Sequence, residues 1–186
     1  MSKWPSIFLL MACGAAHAMP GAPAEDDVGN FMAEKSLLTT FEQVGHTVSD
    51  RASNLVVTAM GFLGVPYRRG GNSAETGFDC SGFVRAMYEQ TLGLLLPRRA
   101  NEQAAATQTI DKKDLQPGDL VFFNTMKRAF SHVGIYVGEG KFIHSPKPGA
   151  QVRVEDMGQS YWQRRFNGAR RVLALSTAQP QPAQQP

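Results

Sequence analysis

Cysteine is scarce in this 186-residue chain, which has only Cys13 and Cys80. Cys80 stands in the string Asp79-Cys80-Ser81-Gly82, and His132 and His144 follow later in the chain. A thiol and an imidazole can together perform nucleophilic acyl chemistry. The ring takes the thiol proton, the sulfur attacks a carbonyl, and the ring returns the proton to the leaving amine. An unperturbed thiol of pKa ~8.5 is only about 3% ionised at neutral pH, so its surroundings must help. Asp79 is a residue type suited to cap a helix N-terminus. It therefore places Cys80 in the first helical turn, where unpaired backbone N–H groups and the positive end of the helix dipole converge. With an imidazolium nearby, that position predicts a thiol lowered to ~4–7. In this scheme His132 is the base, and His144 holds the first ring through its second nitrogen as the third member of a triad. Backbone N–H groups near Cys80 stabilise the oxyanion.

Other readings of these residues stay open on spacing alone. Cys80, His132 and His144 could hold a catalytic zinc, which needs three protein ligands. Against that, no acidic residue stands near either histidine in sequence, and the expected metal content is none. Each histidine taken singly could be a strand residue with a satisfied hydrogen bond. Asp79 could be only a cap and Tyr67 only packing.

The elements that must position these groups can be read from pattern. Residues 54–63 (NLVVTAMGFL) place Leu55, Thr58, Ala59 and Phe62 on one helical face, and the helix stops at Gly64-Val65-Pro66. A turn-rich loop covers 70–77. A second helix runs from Cys80 to Leu94, with Phe83, Met87 and Gln90 on one side and Val84, Tyr88 and Leu92 beside them. Gln116-Pro117-Gly118-Asp119 is a turn before a short buried strand, 120–123. Residues 132–137 and 141–145 read as strands joined by Gly138-Glu139-Gly140, a hairpin signal. Residues 152–154 and 167–173 predict a third and a fourth strand. Mirroring about the hairpin turn sets His132 opposite Ser145 or Pro146. The two rings then lie within the ~5–8 Å reach of cross-strand and diagonal neighbours, provided no slip turns one away. Helices first and an antiparallel sheet after them predict an α+β fold.

The ends differ from this centre. Lys3 precedes an apolar stretch from Ile7 to Ala16 that ends in Ala16-His17-Ala18, the layout of a cleaved signal over residues 1–18. The stretch is shorter than the ~20 apolar residues of a membrane span. The string Leu10-Met11-Ala12-Cys13 also resembles a lipobox, which would make Cys13 an acylated anchor in the outer membrane. The expectation is an exported, periplasmic protein, with the lipoprotein as its alternative. In either case Cys80 is left as a lone thiol in an oxidising compartment. Residues 19–50 read as a flexible or weakly helical leader, 51–174 as the catalytic domain, and 175–186 as a Pro/Gln-rich disordered tail.

Hydrophobic residues make up 42% and charged residues 19% of the chain, against about 45–50% and 25% on average. That is ample for a packed core and excludes a wholly disordered chain. The net charge of +3 comes without a long Lys/Arg block, so a nucleic-acid partner is not expected.

The strings PYRRGGNSAETGFDCSGFV, LPR, LQPGDLVFF and SHVGIYVGEGKFIHS, in that order, resemble the NlpC/p60 family of cell-wall cysteine peptidases. The ending YWQRRFNGARRV is similar to that of the short Gram-negative murein endopeptidases. The resemblance implies a papain-like fold, with the nucleophile opening a helix packed on a central antiparallel sheet. It implies Cys80 as nucleophile, His132 as base and His144 as orienter, with Tyr67, Asp79 and Ser81 as substrate-binding residues. The implied partner is a peptidoglycan peptide, with no cofactor. One departure stands out: relatives often carry a hydroxyl residue just after the LPR string, where this chain has Arg99-Ala100. A non-catalytic envelope binding or scaffold protein on the same fold is the alternative, since fold does not fix function. In a binder the buried thiol would titrate near or above ~8.5. An amidase or acyltransferase is a third reading.

Overall fold

A computed structural model describes residues 49–125 and 127–173. The signal, leader and tail expectations, with Cys13, fall largely or wholly outside those residues.

The first helix, α1, spans 49–60, with Leu55 and Ala59 fully buried, and it ends in turns over 61–64. A small antiparallel hairpin follows, made of β1 (Asn72–Ser73) and β2 (Gly77–Phe78). It leads directly into α2 (Cys80–Leu92). Asp79 caps this helix as its residue type predicts, accepting the Gly82 amide at 2.8 Å through Oδ1. At the other end Gly93 takes a left-handed conformation and returns its N–H to Glu89, a stop that glycine adopts without a Cβ penalty. The helix is therefore two residues shorter than expected. Phe83, Val84, Met87 and Tyr88 are buried, whereas Gln90 is exposed, so the apolar stripe is narrower than the sequence pattern suggested. A short helix, α3 (Ala100–Ala105), follows.

The remaining elements build one antiparallel sheet. Its strands are β3 (Gln108–Ile110), β4 (Leu120–Phe123), β5 (His132–Gly138), β6 (Lys141–His144), β7 (Arg153–Asp156) and β8 (Phe166–Arg171). Their spatial order is β3-β8-β4-β5-β6-β7, and a four-residue helix, α4 (Ser160–Gln163), links β7 to β8. The α+β expectation holds. The third and fourth strands are shifted, to 153–156 and 166–171. β3, α3 and α4 had no periodic signal strong enough to predict them.

The sheet is covered on both faces, which explains why Leu120-Val121-Phe122-Phe123 is apolar without alternation. Leu120, Phe122, Val133, Ile135 and Ile143 join the α1 and α2 side chains in one core. Val121, Phe123, Phe142, Met157 and Trp162 form a second core on the opposite face. Truncating a ring such as Phe122, which is fully buried, costs about 3–5 kcal/mol by the usual cavity argument.

The hairpin register decides the site. Ile135 pairs with Ile143, and an irregularity lies between Tyr136 and Gly138 at the turn. Continued past Ile135, that register sets Gly134 across from His144. A Cβ built at Gly134 would come within 2.6 Å of the Phe142 ring and 3.2 Å of the His144 Cβ. Glycine at 134 therefore leaves the space into which the second imidazole packs.

Candidate active site

Cys80 is the first residue of α2, and its helix start is braced from three sides. Asp79 caps the helix. The backbone of the 68–71 loop lies so close that a Cβ at Gly82 would stand 2.1 Å from the Gly71 carbonyl oxygen, so this position of the DCSG string admits only glycine. Ser145, fully buried beside His144, donates its hydroxyl to the Phe78 carbonyl at 2.7 Å. This last bond ties the segment entering α2 to the end of β6. The backbone N–H of Val133, on β5, also points at the Cys80 sulfur. The thiol and the strand carrying His132 are thus in direct contact.

His132 begins β5 and His144 ends β6. Both rings lie on the same face of the sheet, and His132 Nε2 stands 2.6 Å from His144 Nδ1, with the rings edge to face at 89°. The expectation that two imidazoles meet across the hairpin is met. Both residues are buried, among Phe123, Phe142 and Trp162. Trp162 stacks on His132 with 5.7 Å between centroids and meets His144 edge-on at 5.2 Å.

Two residues of this cluster were not found by sequence reasoning. Glu155 is distant from both histidines in sequence, but the β6–β7 pairing of Phe142 with Glu155 and His144 with Arg153 brings it alongside. Its Oε2 lies 3.7 Å from His144 Nε2. The same oxygen accepts the indole N–H of Trp162, and Oε1 accepts the Arg153 guanidinium. Trp162 itself sits in the YWQRRF string. It could be read only as part of a resemblance, because nothing local shows which ring it covers.

The electrostatics differ from the expectation at one point. Burial pushes the Cys80 thiol up to about 11, and the adjacent Asp79 carboxylate adds to the rise. The N–H groups of Val133, Ser81 and Cys80 pull the other way without prevailing. Burial and then His144 hold His132 well below the ordinary imidazole value. Burial lowers His144 too, although Glu155 opposes it. Both shifts run toward a neutral thiol and a neutral imidazole, opposite to the thiolate and imidazolium that the helix dipole alone would favour. The dipole acts on a half-buried sulfur at the cleft wall, where desolvation opposes it. Glu155, held by His144 and Arg153, stays ionised with its pKa lowered to about 2 despite partial burial.

A cleft runs past the sulfur in two arms. One, of about 530 Å³, is lined by Cys80 and His132 with Lys147, Arg153, Tyr161 and Trp162. The other, of about 800 Å³, is lined by Asp79, Cys80 and Ser81 with Arg69, Arg98 and Arg128. Tyr67, half-buried, borders both arms. Burial, with Cys80 and Asp79 nearby, raises the Tyr67 phenol above its ordinary value, so it stays protonated and able to donate. Asp79 and Ser81 are committed to a local network. Arg98 grips Asp79 with both terminal nitrogens, at 2.9 and 2.6 Å, and donates to Ser81 Oγ at 3.0 Å. Gly70 N–H donates to the second Asp79 oxygen at 2.9 Å. The hydroxyl-free position after the LPR string is the N-cap of α3. Arg99 offers no capping acceptor there, and only Glu102 answers, accepting the Arg99 N–H at 3.2 Å.

Among the described residues no three His, Cys, Asp or Glu side chains converge as a metal site. The imidazole nitrogens that face each other spend themselves on one another at 2.6 Å, closer than the ~3.3 Å between two ligands each ~2.0 Å from a tetrahedral ion. In chemical terms the site can pass a proton from a thiol to a ring and from that ring to an amine, beside backbone donors at a helix start.

The profile of the NlpC/P60 family matches residues 64–171. Murein DD-endopeptidase MepH of Escherichia coli K12 is 46% identical over 118 residues, 62% of this chain and 44% of that protein. Murein DD-endopeptidase MepS/Murein LD-carboxypeptidase of the same strain is 35% identical over 170 residues, 90% of this chain and 88% of that one. A crystal structure of an NlpC/P60 family protein from Bacillus cereus superposes with a TM-score of 0.60 at 38% identity, over 64% of this chain and 39% of the other. The chain thus spans under half the length of MepH and nearly all of MepS.

Proposed function

The chain belongs to the NlpC/P60 family, and we propose that it is a cysteine endopeptidase hydrolysing an amide bond in peptidoglycan stem peptides or their crosslinks. The observation that carries this reading is that His132, whose ring meets the buried His144 ring at 2.6 Å, lines one cleft with the Cys80 thiol. His132 uses Nε2 toward His144, which leaves Nδ1 to take the thiol proton. Because the shifts favour a neutral thiol and a neutral ring, that proton moves as the sulfur attacks, in general-base fashion. The Sγ–C bond forms, the protonated ring gives its proton to the departing amine nitrogen, and water then releases the acyl group by the same route in reverse. N–H groups at the start of α2 are placed to hold the oxyanion. Tyr67 bears on substrate from the shared rim of both arms, whereas Asp79 and Ser81 shape the wall with Arg98. MepH and MepS are named as murein DD-endopeptidases, which favours the D-Ala–diaminopimelate crosslink over the D-Glu–diaminopimelate bond within a stem. Export to the periplasm, or anchoring through Cys13, belongs to the same proposal.

The test is digestion of purified sacculi. The wild-type protein releases muropeptides and Cys80→Ala releases none; equal release by both would end the hydrolytic reading. One observation favours a second reading, a non-catalytic peptidoglycan binder: the upward shift of the half-buried thiol. In that case neither protein releases fragments and both sediment with sacculi.

A further inference from the structure

Glu155 has no part in the triad as drawn, yet its carboxylate ends the chain of groups that begins at the thiol. The Nε2 of His144 is buried and makes no hydrogen bond, and Glu155 Oε2 lies 3.7 Å from it. Each imidazole has two nitrogens and, when neutral, one proton, so the placement of every proton in the chain is coupled. For His132 to accept from the thiol at Nδ1, its own proton must sit on Nε2. That proton faces His144 Nδ1 at 2.6 Å, which must then be the acceptor. The His144 proton is in turn forced onto Nε2, toward Glu155. If the His144 proton lay on Nδ1 instead, His132 Nε2 would have to accept it and its proton would move to Nδ1. The ring would then present a donor to the sulfur and could not act as a base.

We infer that Glu155 is a positioning residue that fixes the tautomers of both imidazoles, drawing the His144 proton to Nε2 and so leaving His132 Nδ1 free for the thiol. A negative charge beside Nε2 stabilises a proton there and would repel the lone pair of the other tautomer. The carboxylate is itself held from two further sides, by Trp162 Nε1 on α4 and by Arg153 on its own strand. With His144 on β6, three donors face its two oxygens. That arrangement suits an ionised acid, and the lowered pKa of Glu155 agrees with it. Trp162 has two tasks in this arrangement, since its indole N–H steadies Glu155 while its ring stacks on His132. No proton passes to Glu155 during the reaction; its effect is to decide where protons rest beforehand.

The inference rests on the hydrolytic reading for its consequence, but its first test needs neither substrate nor turnover. In ¹⁵N-histidine-labelled protein at neutral pH, both His132 and His144 should give the shifts of Nε2-protonated neutral rings. In Glu155→Met, which offers no acceptor of similar size, the Nδ1-protonated form of His144 should appear. With sacculi as substrate, kcat should fall by roughly 10²-fold in Glu155→Met. It should fall less in Glu155→Gln, which keeps an acceptor oxygen, and KM should stay within about twofold in both. A purely structural role predicts loss of thermal stability with unchanged tautomers in whatever fraction folds. An Nδ1-protonated His144 in the wild-type protein overturns the inference even if neither variant folds, as does wild-type kcat in Glu155→Met. Inactivity of the wild-type protein itself would instead count against the hydrolytic reading and leave the tautomer result standing.

Discussion

Asp79 joins the structure to the chemistry at one residue, and its replacement separates three roles. Oδ1 accepts the Gly82 amide at 2.8 Å and Arg98 Nη1 at 2.9 Å, while Oδ2 accepts the Gly70 amide at 2.9 Å and Arg98 Nη2 at 2.6 Å. Asp79→Asn keeps an acceptor toward Gly82, so the cap survives, since Asn caps as well as Asp. Its amide nitrogen then faces two donors, Gly70 N–H and the guanidinium, and the charge opposite Arg98 is gone. Hydrogen bonds to charged groups contribute roughly 1.5–3 kcal/mol. The Arg98 side chain is 32% exposed and Asp79 only 15%. The guanidinium can therefore turn partly to water, and the loss stays below the 3–5 kcal/mol of a fully buried broken pair. The expected cost of Asp79→Asn is about 2–3 kcal/mol. Asp79→Ala also loses the cap, which adds about 1 kcal/mol. Arg98→Met removes the partner and leaves the carboxylate with two backbone donors, costing about 1–2 kcal/mol. The double variant Asp79→Asn/Arg98→Met should cost at least ~1 kcal/mol less than the sum of the singles, because neither charge is then stranded. Urea unfolding of the four variants gives the cycle. Asp79→Asn within 0.5 kcal/mol of wild type (roughly the scatter among independent sites), or strict additivity, would refute the argument. Turnover adds a further readout: a positioning role lowers kcat, whereas direct substrate contact by the carboxylate raises KM.

Two more outcomes follow from the same geometry. With the thiol held up at about 11 by burial and Asp79, iodoacetamide should alkylate Cys80 roughly tenfold faster per pH unit from 7 to 9, following the thiolate fraction. Removing the second cause in Asp79→Asn should move that curve to lower pH; a rate already flat from pH 6 would mean an ion pair at rest. Arg99→Ser gives α3 a capping hydroxyl at the position where Arg99 supplies none, and should raise stability by roughly 0.5–1.5 kcal/mol in thermal or urea melts. No gain would show that the Glu102 bond to the Arg99 amide already satisfies that helix end.

What the sequence made legible is what local chemistry decides. An Asp before Cys80 announces a helix start, and Gly138-Glu139-Gly140 between apolar runs announces a hairpin. Mirroring about that hairpin brings His132 and His144 within reach, and the observed register decides that both share one face. The strand ends were less legible because they are set by partners: β7 stops where its pairing with β6 stops, and 152–154 carries no mark of that. Glu155 and Trp162 lay hidden for the same reason. A carboxylate eleven residues beyond His144 becomes its neighbour only through the β6–β7 register, and the Trp162 ring reaches His132 only through α4 packing on the far face of the sheet. The shift of the thiol runs against the expectation for another reason. Helix dipole and imidazole can be located from sequence, but the burial that opposes them is a property of the folded cleft. The two differences share a cause: both concern the partly buried side of the site, where a single charge has a larger effect than in open water. Two neutral imidazoles can be ordered there by one carboxylate, and burial there favours the protonated sulfur. A thiol shifted in this direction is compatible with catalysis only if its proton has a prepared acceptor, and the orientation of His132 supplies that preparation.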